Sequence, residues 1–75
     1  MEELVRYIAR SLVEKPDAVD VREVENADSI VIELRVDADD MGKVIGKQGR
    51  IAKAIRTVVK AASVNSPKPV FVEII

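Results

Sequence analysis

Residues 29–36 read SIVIELRV, an unbroken alternation with Ile30, Ile32, Leu34 and Val36 on one side and Val31, Glu33 and Arg35 on the other. Successive strand residues point to opposite faces, so this run specifies a strand with one face that must be covered. A chain of 75 residues can build only one small core, so the segments around this strand have to supply the cover. Ahead of it, Leu4, Val5, Ile8, Leu12 and Val13 recur at helical spacing until Pro16, which predicts a helix over residues 2–14. Next, VDVREVEN alternates through Val19 and Val21 before Val24 breaks the phase, which reads as an edge strand with a bulge. NADS is a turn, because Asn and Asp bond to their own backbone.

Beyond the alternating run, DADDMGKVIG starts a short helix that Asp37 or Asp39 can cap. Gly46 to Gly49 interrupts it, RIAKAIRTVVKAA begins another helix, and Pro67 and Pro69 make SVNSPKPV a loop. The chain ends in VFVEII, a strand with Val70, Val72 and Ile74 on one face. The order is α-β-β-α-α-β. A short turn pairs the first two strands antiparallel, and the helical crossover brings the third back parallel to the second. The expected architecture is α+β: a three-stranded mixed sheet, second strand in the middle, with three helices packed on one face.

Charge is divided along the chain. Formal net charge is −1, yet the first forty residues carry −7, whereas residues 41–72 hold Lys43, Lys47, Arg50, Lys53, Arg56, Lys60 and Lys68 and no acid. An electropositive face on an acidic body is the footprint of a polyanion binder. That face includes GKVIGKQGRIAKAI, where Gly46 and Gly49 bracket Lys47 and Gln48 at a helix junction. Gly49 can take backbone angles closed to other residues, and neither glycine has a Cβ to hold a ligand off the main chain. The first amides of the following helix lack intrahelical acceptors and carry the positive end of its dipole, which makes a phosphate site. At 100° per residue, Ile51, Ile55, Val58, Val59 and Ala62 share one face, while Arg50, Lys53, Thr57 and Lys60 share the opposite one. Arg56 lies further round.

VIGKQGRIAKAI resembles the signature of the K-homology (KH) domain, V-I-G-x-x-G followed by a helix with spaced isoleucines. The element order is similar to the type II, bacterial-style KH fold. The length and the run GKVIGKQGRIAKAIRTVVKAA resemble the small stand-alone bacterial KH proteins of the KhpA (YlqC) family. The resemblance implies a single KH domain over residues 1–75 that holds about four nucleotides of single-stranded RNA or DNA, with the loop on the backbone. Carried over by position, Gly46, Lys47, Gln48 and Gly49 form the clamp. Val44, Ile45 and Ile51 or Ala52 wall an apolar base groove between the helices and the central strand. A residue of that strand, Val31 to Arg35, reads base edges, and Lys43, Arg50 and Lys53 meet phosphates. The implied role is low-specificity RNA binding in bacterial RNA regulation, or as an RNA chaperone, in the cytoplasm. The implied protein partner is a second copy or a KH-containing protein of the Jag or KhpB type.

Other functions fit less well. Without His or Cys the chain lacks the usual general base, thiol nucleophile and nitrogen or sulfur metal ligands, so no catalysis, metal or cofactor is expected. A phosphate-binding P-loop needs four residues between its glycines and Ser or Thr after the lysine; GKVIGKQ has three and Gln48. Asp37, Asp39 and Asp40 read as helix-start residues rather than magnesium ligands. No run reaches the length of a membrane span, no signal peptide is expected in the acidic N-terminal stretch, and no membrane partner is expected. Tyr7 and Phe71, the only aromatics, are assigned to core or packing positions rather than to base stacking. The rival reading is a protein-interaction module that docks a partner through the surface near the loop.

Overall fold

The elements appear in the expected order in the computed structural model, which describes residues 1–75: α1 (Glu2–Leu12), β1 (Asp20–Glu25), β2 (Ile30–Arg35), α2 (Met41–Ile45), α3 (Arg50–Ala62) and β3 (Val70–Ile74). Single 3-10 turns at Pro16–Ala18, Ala38–Asp40 and Lys47–Gly49 fill the joints. β2 occupies the middle of the sheet, antiparallel to β1 and parallel to β3. Its inward residues Ile32 and Leu34 have no exposed surface. Val5 and Ala9 of α1, Val44 of α2, and Ile55 and Val59 of α3 complete the core above them. Only one face of the sheet is covered. No helix is long and apolar enough to cross a membrane.

Four local expectations are corrected. β1 carries no bulge: its register with β2 runs unbroken from Asp20↔Arg35 to Glu25↔Ile30. Val24 breaks the apolar phase because it sits on the uncovered face opposite Val31, which neighbours Phe71 in β3. Phe71 and Tyr7 are therefore not core residues; they are 56% and 73% exposed. Tyr7 lies about 200° around the helix from buried Val5, on the far side of α1. The buried stripe of α3 runs through Ala52, Ile55 and Val59, which leaves Val58 at the surface.

α1 also stops two residues early, and the cause is Asp40. The backbone at Val13 turns extended, and the next two amides leave the helix pattern to bond a carboxylate. Glu14 N–H donates to Asp40 Oδ1 at 3.2 Å and Lys15 N–H to Oδ2 at 3.0 Å. Asp40 is the one buried charged side chain, 1% exposed. Asp37, as expected, caps the turn before α2 by accepting from Asp39 N–H at 2.9 Å. That bond is the main reason its carboxyl titrates below the usual range; the charge of Lys15 acts in the same direction.

At the other end of the sheet, Lys68 Nζ donates to Glu25 Oε2 at 2.8 Å and to the carbonyl of Asn26 at 2.9 Å. This clip joins the end of β1 to the segment entering β3. The hydrogen bond from Lys68, and then its charge, hold the Glu25 carboxyl below its ordinary value of 4.5.

Two tests follow from these contacts. Replacing Asp40 by Ala leaves two backbone donors without their acceptor and should lower stability by about 2–3 kcal/mol in urea unfolding; Asp40→Asn, with one acceptor oxygen, should lose about half of that. The Glu25 contribution is present above pH 4.5, the ordinary value, and disappears as pH falls through the lower folded value. Wild type should therefore melt above Glu25→Gln at pH 7, and the difference should close below pH 4.5.

Candidate nucleic-acid interface

The loop between α2 and α3 holds three residues with positive φ in a span of four. Gly46 lies at φ 77°, ψ 172°, a region that is nearly glycine-only. Its N–H closes the last turn of α2 on the Gly42 carbonyl at 2.8 Å, and its own carbonyl accepts from Gly49 N–H at 3.1 Å. The chain then folds back over the first turn of α3. A Cβ at Gly46 would lie 2.6 Å from Cγ1 of Ile51 and 2.9 Å from the Ile51 backbone nitrogen. Gln48 (φ 59°, ψ 24°) and Gly49 (φ 74°, ψ 15°) make a turn close to type I′. Gln48 is the only non-glycine residue with positive φ, at a cost of about 1–2 kcal/mol.

The electrostatics favour an anion. α3 has no side-chain cap and no acid in its first turn, so no carboxylate of the protein's own competes for an anion there, although its first amide, Arg50 N–H, already donates to the Lys47 carbonyl. Lys43, Lys47, Arg50 and Lys53 are all exposed around the loop. Lys43 alone has an acidic neighbour, Asp40 at 3.8 Å; Lys47, Arg50, Lys53, Arg56 and Lys60 have none within salt-bridge distance.

The apolar candidates separate. Val44 is fully buried and has no surface to offer a ligand; it supports α2 from beneath. Ala52 is also buried, whereas Ile51 is half-buried under Gly46 and Ile45 is 38% exposed. Of the expected wall residues, Ile45 and Ile51 are the accessible ones.

The expectation that a β2 residue reads base edges fails on topology. β2 is paired on both sides, Ile32 and Leu34 are core, and Val31, Glu33 and Arg35 lie on the sheet face away from the helices. The open strand beside α3 is β3. A groove of about 580 Å³ runs between them, with Arg56 and Lys60 on one wall, Val70 and Val72 on the other, and Pro67 and Phe71 at its end. The β2–β3 ladder uses the Pro69 carbonyl and the Ile75 N–H. By parallel alternation the N–H and C=O groups of Val70, Val72 and Ile74 therefore face the free edge. Arg56 reaches that edge: its Nε–H donates to the Val72 carbonyl at 3.3 Å. Arg56 and Lys60, which line this groove, were not among the expected site residues, although Lys53, Arg56 and Lys60 are spaced three and four apart and form one helical stripe.

The sequence model described as "KhpA/KhpB, KH domain" matches residues 2–74. The chain belongs to the KhpA/KhpB KH-domain family. Among its relatives, the "RNA-binding protein KhpA" of Clostridium perfringens is 65% identical over 75 residues, all of both chains. That of Aquifex aeolicus is 47% identical over all of this chain and 95% of the relative. Two solved structures share the fold at 27% identity. Aquifex aeolicus Era bound to GDP·AlF4− superposes with a TM-score of 0.65 over 97% of this chain and 28% of that one. Era in complex with MgGDPNP and nucleotides 1506–1542 of 16S ribosomal RNA gives 0.64 over 99% and 30%. This KH domain therefore matches less than a third of Era.

The two glycines of the KH loop should respond differently to the same change. Gly46→Ala meets both a forbidden backbone region and the first turn of α3, and should cost about 3 kcal/mol. Gly49→Ala has open space and only the left-handed penalty, about 1 kcal/mol. Chemical denaturation of the two variants measures the gap.

Proposed function

We propose that residues 1–75 act as a single, non-catalytic KH domain that binds single-stranded RNA with low sequence specificity. The observation that carries this reading is the loop itself: a strained, positive-φ turn set at the start of α3, which has no side-chain cap, among exposed cations of which only Lys43 has a carboxylate neighbour. In the proposed mode Gly46, Lys47, Gln48 and Gly49 bring the main chain against the nucleic-acid backbone. Lys43, Arg50 and Lys53 neutralise phosphates, and Ile45 and Ile51 give the first base an apolar floor. The following bases enter the groove between α3 and β3, where Arg56 lies six residues, about 9 Å, along the helix from Arg50. The relatives' name, RNA-binding protein KhpA, supports RNA as the ligand, and so does the Era structure that contains ribosomal RNA nucleotides.

One small domain makes few contacts, so avidity from a second KH module would strengthen binding. The proposed partner is a second copy or a KhpB-type protein, and the family description, which spans KhpA and KhpB, supports it. Regulation of bacterial RNA in the cytoplasm, including a chaperone role, is the process proposed for such an assembly. Partner docking as the main function is the second reading, favoured by apolar side chains left at the surface, Ile45, Val64 and Phe71.

Fluorescence anisotropy with short single-stranded RNAs tests the clamp. Wild type should bind, with log K falling against log salt at a slope of about −2 to −3 for three or four neutralised phosphates. Lys47→Asp/Gln48→Asp keeps both glycines, and Asp tolerates the left-handed angles of position 48. It should stay folded and bind at least about tenfold more weakly. Equal binding by both proteins would remove the loop from the mechanism. No binding by wild type at low salt would leave the docking reading.

A further inference from the structure

We propose that Phe71 is a stacking platform for an RNA base, placed where a bound strand leaves the α3–β3 groove and crosses the open edge of β3. The inference rests on the reading that RNA lies in this groove, and it adds a contact with a base face to the phosphate contacts already described.

The groove changes character along its length. Arg56 and Lys60 make its wall on α3 cationic, and neither has an acid within salt-bridge distance. A third lining cation, Lys68, is taken up by the chain itself: its Nζ donates to Glu25 Oε2 at 2.8 Å and to the Asn26 carbonyl at 2.9 Å. The end of the groove therefore offers no free charge. It offers apolar surface instead, from Val64, Pro67 and Phe71, all of them exposed. Phosphates suit the first part and the flat apolar face of a base suits the second. The lining as a whole contains three cations and no acid, which favours a polyanion over a protein segment as the occupant.

Of the three apolar residues at that end, Phe71 alone has an aromatic ring. Strand parity puts the ring on the uncovered side of the sheet, and β3 is an edge strand, so no further strand flanks it. On its other side stand Val31, its partner in the β2–β3 register, and then Val24 in β1. The ring is thus backed by valines and still 56% exposed. A phenylalanine has only two side-chain torsions to fix, so ordering it against a ligand costs little. Reach is sufficient as well. Ser63, which lines the groove, lies thirteen residues beyond Arg50, about 20 Å along α3. Even a fully stacked strand advances about 3.4 Å per nucleotide, so about six nucleotides from the loop cover that distance. A strand that follows α3 past Lys60 has left the last free cation and meets the ring next. Stacking needs only a base face, which every base has, and so agrees with low sequence specificity.

The experiment measures anisotropy of labelled oligoadenosine and oligouridine octamers with wild type, Phe71→Ala, Phe71→Leu and Phe71→Trp. Phe71 is exposed, so its replacement leaves the core intact, and circular dichroism verifies this for each variant. Phe71→Ala should bind about tenfold more weakly, the scale of one base stacked on an aromatic ring. Its salt slope should equal that of wild type, because no phosphate contact is lost. Phe71→Leu keeps apolar bulk beside Val31 without a ring and should lose nearly as much. Phe71→Trp should bind at least as tightly as wild type. The chain has no tryptophan of its own, so emission from this variant reports on position 71 alone and should be quenched as RNA saturates it. Wild-type affinity in Phe71→Ala, or tryptophan emission that saturating RNA leaves unchanged, overturns the inference while RNA binding stands. Sedimentation in which Phe71→Ala loses self-association but keeps its RNA affinity overturns it in favour of a protein occupant. Absence of RNA binding by wild type at low salt overturns both readings.

Discussion

A single buried carboxylate holds the two halves of this domain together. Asp40 lies at the start of α2, and its oxygens accept the amides of Glu14 and Lys15, where the chain leaves α1. Burying a charge in so small a core is expensive, and two backbone donors offset that cost only when the geometry is held. The bond therefore acts on position as much as on stability. It stops α1 at Leu12, turns the chain toward β1 and sets the origin of the five-residue helix α2. Every later feature of the loop is measured from there. α2 ends at Gly46, Gly46 folds over Ile51, and that contact fixes where the first amides of α3 point. A shift at Asp40 would travel to the loop through one rigid helical turn.

The electrostatic character of the site comes from how carboxylates are distributed and not from net charge. Most acids precede residue 41, and several have cationic neighbours there. Glu2 and Glu3 pair with Arg6, and Asp37 and Asp39 with Lys15. Glu25 takes Lys68, which lies beyond α3 and away from the loop in sequence. What remains on the loop and on α3 is a row of five cations without partners. The domain can carry a formal charge of −1 and still present a strongly positive face.

Much of this was legible in the residues. The alternation in residues 29–36 identified the central strand, because a strand buried on one face shows period two. Connection rules then supplied antiparallel and parallel partners, and the glycine spacing located the positive-φ turn. What could not be read has definite physical causes. Val24 looked like a phase error because a valine on an uncovered sheet face and a bulge produce the same local pattern. Tyr7 and Phe71 looked like core because aromatic residues usually are, yet helix rotation and strand parity place both outward. Among three neighbouring aspartates nothing local distinguished Asp40, whose partners lie 25 and 26 residues away. Val44 and Ile45 differed only through the rotation of a helix too short to show a periodicity.

The misplacement of base reading onto β2 carries the most general lesson, because it confuses apolar content with availability. β2 is the most regular strand, and for that reason its backbone groups are paired on both sides and its inward side chains are buried. Chemistry on a sheet of this kind belongs to an edge. β1 has charged side chains at Asp20, Arg22, Glu23 and Glu25, which discourage another strand from pairing with it. β3 has one charge, Glu73, and a sequence well suited to strand addition. Arg56 supplies from α3 the protection that β3 lacks, by covering the outward carbonyl of Val72 with a cation.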